Sequence, residues 1–169
     1  GENKMKVLVK YFVALVFAVA GMQAQALTFG PGDAIDSGDQ TSTSVIDTYV
    51  MSTYGVTELY KQDVGGGETG SFSGSYSTSF ANTATDPADA TITYDGGTPI
   101  SCPTCYIVVK DGNQDPAWYL LDLGNWNGVE TIQLEGFWPN QGAISHVSIY
   151  GTPGQVPEPG PLALLAVGL

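Results

Sequence analysis

The sequence predicts an all-β fold, a single antiparallel β-sandwich or jelly-roll-like domain. Short runs rich in Val, Ile, Thr, Tyr, Phe and Trp recur between clusters of Gly, Asn, Asp and Pro, which is typical of strands and turns. About 125 residues lie between Leu27 and Thr152, enough for one domain with one core. Gly, Ser and Thr are too frequent there to sustain a helical period. Eight or so strands in residues 27–152 therefore favour a sandwich.

The residues before this domain have the layout of a secretory signal peptide. Lys6 and Lys10 give a basic start, and residues 11–22 are apolar. A transmembrane anchor or a buried helix is the alternative, but this run is shorter than the roughly 20 residues that span a bilayer. We therefore expect a signal helix that is removed from the mature protein.

The small residues Ala24 and Ala26 predict where the signal is cleaved. The sequence Ala24-Gln25-Ala26 is a small-x-small site, so cleavage is expected before Leu27. The four residues that precede Met5 look like upstream sequence. Residues 1–26 are accordingly assigned to upstream residues plus signal peptide.

Eight segments of residues 27–152 carry strand signals. The predicted strands lie near Ser44–Met51, Gly55–Lys61, Gly70–Phe80, Ala90–Tyr94, Tyr106–Lys110, Ala117–Leu123, Glu130–Phe137 and Ile144–Tyr150.

Two of these strands show the clearest alternation. In the predicted strand Glu130–Phe137, Ile132 and Leu134 fall on one face. In the predicted strand Ile144–Tyr150, Val147 and Ile149 point inward. Ser148 and His146, the only histidine of the sequence, point outward.

Residues 65–85 are low in bulky side chains, and their structure is left open. Phe72, Tyr76 and Phe80 are spaced by four, as in a helix, but each Gly in a helix interior costs about 1 kcal/mol relative to Ala. A strand and a flexible or glycosylated loop are both compatible with this composition.

The charge balance excludes one class of partner. Without residues 1–26 the chain carries 16 acidic residues against Lys61 and Lys110, with no arginine, for a net charge near −14. Nucleic-acid binding needs Lys and Arg to neutralise phosphates, so it is excluded. The negative surface favours solubility and can attract divalent cations.

The sequence predicts that the protein is not an enzyme. His146 is the only histidine, and no nucleophile-elbow sequence accompanies it. One histidine and two cysteines are too few for a closed zinc site. Paired carboxylates for glycoside hydrolysis stay open, because the sequence does not show their separation. We assign no catalytic residue.

Cys102 and Cys105 form the motif "CPTC" before a predicted strand. In a cytosolic protein this spacing would indicate a redox pair. Because the chain is predicted to be exported and no helix follows the motif, a structural disulfide that closes a tight loop is favoured.

Asp111, Asn113 and Asp115 have the spacing that opens a calcium-binding EF-hand loop. Pro116 replaces the glycine required at the sixth position, and a strand follows instead of a helix. A hairpin turn is the alternative. Calcium is the only cofactor that the sequence suggests.

The three tryptophans raise a sugar-binding interpretation. Trp126, in the turn "GNWNGV", is the best candidate for an exposed glycan contact, since aromatic rings stack on sugars. Trp118 and Trp138 are expected to fill the core or to cap sheet ends. Packing of all three is the alternative.

The chain closes on the linker "GTPGQ", the residues Val156, Pro157, Glu158 and Pro159, and an apolar run at 161–169. This ending resembles the C-terminal sorting signal of PEP-CTERM proteins, which Gram-negative, exopolysaccharide-producing bacteria export. In that family a transmembrane helix and a basic cluster follow the Pro-Glu-Pro motif, and the membrane protease exosortase recognises the whole. Here the apolar run is half a membrane span and the basic cluster is missing. We expect a truncated C-terminus, with residues 153–169 as linker and sorting signal.

Residues 105–151 are also similar to a segment of many PEP-CTERM exported proteins. The resemblance implies export through the inner membrane, membrane contact through the C-terminal segment before processing, and a final location at the cell surface or in the extracellular matrix. It implies exosortase and exopolysaccharide or biofilm as partners, and no catalytic residue. The expected function is that of an exported, non-enzymatic matrix protein. The alternative is a carbohydrate-binding β-sandwich module, with or without assistance from calcium.

Overall fold

The structure is a computed structural model that describes residues 26–81, 86–140 and 142–152. These residues form ten strands, a 3-10 turn at Pro31–Asp33 and one α-helix. In chain order the elements are β1 (Leu27–Phe29), β2 (Asp36–Gly38), α1 (Thr43–Tyr54), β3 (Thr57–Asp63), β4 (Glu68–Thr69), β5 (Tyr76–Ala81), β6 (Asp89–Tyr94), β7 (Cys105–Lys110), β8 (Trp118–Asp122), β9 (Ile132–Leu134) and β10 (His146–Gly151).

The strands form two sheets, which confirms the mostly-β prediction. The small sheet has the order β1-β9-β6-β5, and the large sheet has the order β2-β8-β7-β10-β3-β4. All pairs are antiparallel except β1 and β9, which run parallel with Leu27 opposite Ile132. The expectation of a purely antiparallel sandwich is therefore corrected at this one edge.

The main core lies between the two sheets. Ile132 and Leu134 of the small sheet and Val147 and Ile149 of the large sheet are all fully buried in it, which confirms the inward faces predicted for both strands. Burial of each such aliphatic side chain contributes about 1.5–3 kcal/mol. The side-chain alternation of the strands thus produces one continuous apolar layer.

Helix α1 occupies the segment predicted as the strand Ser44–Met51, and that prediction was wrong. The β-branched residues of this segment favour a strand locally, but Ile46 and Val50 lie one helical turn apart and are both buried. Gly55 ends the helix in the left-handed conformation, with φ of 67° and its N–H donating to the Met51 carbonyl at 3.1 Å. Tertiary packing overrides local propensity here.

Helix α1 gives the large sheet a second buried face. Ile46 and Val50 pack with Val108, Leu120 and Tyr150 in a separate apolar cluster. The inner residues of the large sheet face the small sheet instead. Strands β7, β8 and β10 are therefore buried on both sides, unlike strands of a simple sandwich.

The prediction that His146 and Ser148 point outward to solvent was wrong. The two side chains do alternate with Val147 and Ile149, but they are only 4% and 0% exposed. The burial of this outer face was not predicted, because it depends on the helix that packs on Tyr150 and on the lysines beside His146, which come from distant parts of the chain.

The glycine-rich stretch contains both a turn and a strand. Only the second half of the predicted strand Gly70–Phe80 is extended, as β5, and it is preceded by a turn that buries Phe72. Gly70 has φ of 96°, and a Cβ there would collide with the Leu59 carbonyl, so this turn requires glycine. Residues 82–85 lie outside the described part.

Candidate functional site

Trp126 is buried, so the prediction that it is exposed was wrong. Its side chain is 3% exposed and its ring lies 5.8 Å from that of Tyr76. The indole N–H donates to the Glu130 carbonyl at 2.8 Å, because Asn127 folds the turn back by accepting two backbone N–H groups. This geometry leaves no free ring face for a sugar.

Trp138 and Trp118 are buried as well, in agreement with the packing expectation. Trp138 donates to the Pro116 carbonyl at 2.9 Å and packs against Tyr119. The indole nitrogen of Trp118 differs: among the described residues it is the one buried side-chain nitrogen or oxygen without a hydrogen-bond partner.

Cys102 and Cys105 form a disulfide, as predicted. Cys105 is the first residue of β7 and is fully buried. The bond therefore fixes the entry of a central strand of the large sheet.

Asp111 holds two loops together. Its carboxylate accepts the N–H groups of Asn113 at 2.6 Å, of Gln114 at 3.1 Å and of Ala143. A cavity of about 400 Å³ lies beside these loops. Asn113 and Asp115 are exposed, and the described ranges contain no group of three or more His, Cys, Asp or Glu that could hold a metal ion. The calcium interpretation stays a prediction, to be tested by calcium-dependent melting.

Most of the predicted targeting residues lie outside the described part of the chain. This holds for Ala24 and for the motif Val156, Pro157, Glu158 and Pro159, whereas Ala26 precedes β1 and Leu27 opens it. Within residues 26–81, 86–140 and 142–152, no helix has the length and hydropathy needed to cross a membrane.

A second cavity, here named the Trp118 groove, has a volume of about 230 Å³. It lies where strand β2, the connection to α1 and the first turns of α1 meet the edge of the large sheet. Its lining residues are Asp36, Ser37, Gly38, Asp39, Gln40, Val45, Ile46, Tyr49 and Trp118.

Two aromatic rings form one wall of the Trp118 groove. Tyr49 is 41% exposed, and its ring centroid lies 5.7 Å from that of Trp118 at an angle of 54°. Gly38 pairs with Trp118 across the sheet, and a Cβ on Gly38 would lie only 3.0 Å from the indole nitrogen. The missing side chain at Gly38 lets the indole lie directly against the backbone.

Asp36 is the carboxylate that organises this wall. One of its oxygens accepts the hydroxyls of Tyr49 at 2.7 Å and Tyr54 at 2.9 Å, and the other accepts the Ser37 N–H. Burial alone would raise the pKa of Asp36, but these hydrogen bonds outweigh it and hold the pKa below its usual value. Burial and the neighbouring carboxylate raise the pKa of Tyr54 to about 12, so its hydroxyl remains a donor at neutral pH.

A second polar cluster lies on the outer face of the large sheet. Asp63 is 3.4 Å from the Lys61 ammonium and 3.7 Å from Nδ1 of His146. Lys110, opposite His146 in the sheet, donates to the Asp111 carbonyl at 2.7 Å.

The environment of His146 keeps it neutral. Burial and the two lysines lower its pKa to about 4, against the opposing effect of Asp63. The next hydroxyl on the same face, that of Ser148, donates to Glu58 at 3.2 Å. The described contacts thus give His146 no nucleophile to activate.

The fold and the groove define a two-sheet β protein with one covering helix and an acidic, aromatic cleft. Comparison of the chain with protein families, curated proteins and solved structures gives no match. Functional conclusions therefore depend on the residues themselves.

Proposed function

We propose that the chain is an exported, non-enzymatic protein of the cell surface or extracellular matrix, sorted by exosortase through Pro157-Glu158-Pro159 and associated with exopolysaccharide. One observation supports this proposal: the described two-sheet β domain lies between the predicted signal peptide and the predicted sorting motif. Its first strand opens at Leu27, next to the cleavage site, and its last strand ends at Gly151, a few residues before the motif. Cleavage at both predicted sites would therefore leave the two sheets intact.

The polar clusters support a non-enzymatic role. His146 is buried and neutral, and the Asp111 carboxylate is occupied by backbone N–H groups. Asp111 holds two loops together and burial keeps His146 neutral, which argues against either group as a general base.

The test is the mass and fractionation of the full-length chain in hosts with and without exosortase. We expect a product that begins near Leu27 and is shortened around Pro157 only when exosortase is present. Glu158→Ala should abolish the shortening, whereas Glu135→Ala, on the exposed surface, should leave it intact. A tail that stays unprocessed in both hosts would contradict the proposal.

The second candidate function is that of a carbohydrate-binding module, and the Trp118 groove favours it. Tyr49 exposes part of a ring beside hydrogen-bonding side chains, which is the combination that sugar sites use. Saturable binding of the full chain to matrix polysaccharide should be lost in Tyr49→Ala and retained in Val129→Ala, which removes an exposed side chain elsewhere. The absence of saturable binding would leave the first function alone.

A further inference from the structure

We infer that two copies of the chain associate through strand β5, whose free side pairs with the same strand of a second copy. The side of β5 that faces away from β6 is here named the β5 edge. This surface plays no part in the sorting proposal. Three properties lead to the inference: the length of the β5 edge, the direction of its backbone groups and its lack of charge.

Strand β5 is the longest edge strand among the described residues. It lies last in the small sheet and pairs only with β6. It has six residues, whereas the edge strands β1, β2 and β4 have three, three and two. Proteins commonly protect edges with Lys, Pro or a bulge, because unpaired backbone groups attract another strand. The sequence of β5, "YSTSFA", contains neither Lys nor Pro, and its register with β6 is regular. The β5 edge is therefore open to strand pairing.

The register with β6 shows which backbone groups lie on the β5 edge. Asp95 donates its N–H to the Ser75 carbonyl at 2.9 Å, and these two residues continue the register of the two strands. Hydrogen-bonded and non-hydrogen-bonded pairs alternate along an antiparallel ladder. The N–H and carbonyl groups of Thr78 and Phe80 therefore point away from β6. No hydrogen bond joins these backbone groups to another described residue.

The β5 edge is held in place before a partner binds. The Thr78 hydroxyl lies 2.8 Å from the Tyr60 hydroxyl of the large sheet and forms a hydrogen bond with it. Phe80 is half-buried and packs against the main core. A strand that is already ordered loses little conformational freedom when it pairs. A second strand would also cover the part of Phe80 that remains exposed.

The charge around the β5 edge favours a second copy as the partner. No charged residue lies between Glu68 and Asp86, although the domain as a whole is strongly acidic. An uncharged edge offers no ion pair to a basic or an acidic partner. It does allow two acidic chains to approach each other with little local repulsion.

Pairing of the β5 edge with itself brings complementary side chains together. A two-fold axis at Ser79 places Thr78 of each copy opposite Phe80 of the other, and each such pair exchanges both of its backbone hydrogen bonds. β-Branched and aromatic residues are favourable neighbours across strands. Ser79 is exposed and lies opposite Ser79 of the other copy, where the two hydroxyls can form a hydrogen bond.

The test is sedimentation equilibrium of the full chain over about a hundredfold range of concentration. We expect a monomer–dimer equilibrium that tightens about threefold or more when NaCl is raised from roughly 10 mM to 150 mM, because salt screens the repulsion between two acidic chains. Ser79→Asp places like charges opposite each other and should weaken the dimer about tenfold or more. Ser37→Asp, the same change at an exposed position of the edge strand β2, should alter it less than about twofold.

A second variant tests the two-fold axis. A mixture of Ser79→Asp and Ser79→Lys chains should associate more tightly than either chain alone, because opposite charges then face each other. The variants share the same terminal segments, so association through residues 1–25 or 153–169 would be common to all of them. A chain that stays monomeric at every concentration overturns the inference. So does a dimer that Ser79→Asp leaves unchanged, or a mixture that associates no better than its components.

Discussion

At the scale of single residues, His146 has the environment with the clearest consequence for stability. It is 4% exposed and lies among Lys61, Lys110 and Asp63, with Glu58 farther along the same face. Burial and the two ammonium groups oppose its protonation. The folded state therefore binds a proton at His146 less readily than the unfolded chain does.

We predict that stability falls as the pH is lowered from 6.5 to about 4. The pKa of His146 drops from 6.5 to about 4 on folding, so its contribution is present above 6.5 and is lost as the pH falls through that window. The loss amounts to about 3 kcal/mol at the acid end. Urea denaturation at pH 7 and pH 4 measures it.

His146→Gln isolates this effect. Glu58 acts in the opposite direction: burial and Asp47 raise its pKa above 4.5, so its contribution is present in acid and is lost as the pH rises. The variant retains Glu58. Between pH 7 and pH 4, the free energy of unfolding of the variant should decline less than that of the wild type. Equal declines in the two proteins would show that His146 titrates normally.

Tyr76 joins two loops through one hydroxyl. It accepts the Ile100 N–H at 2.7 Å and donates to the Gly128 carbonyl at 2.7 Å, and both bonds are buried. Tyr76→Phe would leave two buried backbone groups unpaired and should lower the free energy of unfolding by about 2–4 kcal/mol. Tyr94→Phe removes a more exposed bond to the Gly97 carbonyl and should cost less than about 1 kcal/mol. Equal losses in chemical denaturation would refute the bridging role.

At the scale of elements, α1 shows where sequence patterns fail. The strands β6, β7, β8 and β10 were predicted within about two residues, because runs of β-branched and aromatic residues between turns have a strong signal. The segment that forms α1 has the same composition, and its contact with Val108 and Leu120 is what favours a helix over a strand. Strands β1, β2 and β4 have two or three residues each, too few for a period to be recognised.

The Trp118 groove was not predicted from the sequence, because the elements that form it were not predicted either. Asp36 and Tyr49 are brought together by β2 and α1, neither of which the sequence predicted. The disulfide was predictable because it joins residues close in the chain. Trp126 was misplaced because its turn folds back onto the core through Asn127, a contact that no local pattern reveals.

The packing of α1 is testable with two neighbouring residues. Ile46→Ala should lower the free energy of unfolding by about 2–4 kcal/mol, because it opens a cavity between the helix and the large sheet. Val45→Ala changes a side chain that is 48% exposed and should stay within about 0.5 kcal/mol. Denaturant midpoints give both values, and similar midpoints would mean that α1 is not docked on the sheet.

At the scale of the whole molecule, charge is the dominant feature. Fifteen acidic side chains in residues 27–152 face two lysines, and both lysines belong to the cluster around His146. Because repulsion among the acids destabilises the compact state, added salt should stabilise it.

We predict that the melting temperature rises by about 2–5 °C between 10 mM and 150 mM NaCl, a change of roughly 1 kcal/mol or less. Replacing Lys61 with Gln should increase this dependence, since it removes a cation that offsets Asp63. A melting temperature that falls with salt would mean that local ion pairs outweigh the general repulsion.

The parallel pairing of β1 with β9 has a consequence for the order in which the chain matures. Thr28 at the start of the domain bonds to Gln133, 105 residues later, so the small sheet cannot close until most of the domain has been synthesised. Such long-range contacts slow folding. If the chain is exported as we propose, this delay would keep the leading strand β1 unpaired until β9 had also crossed the membrane.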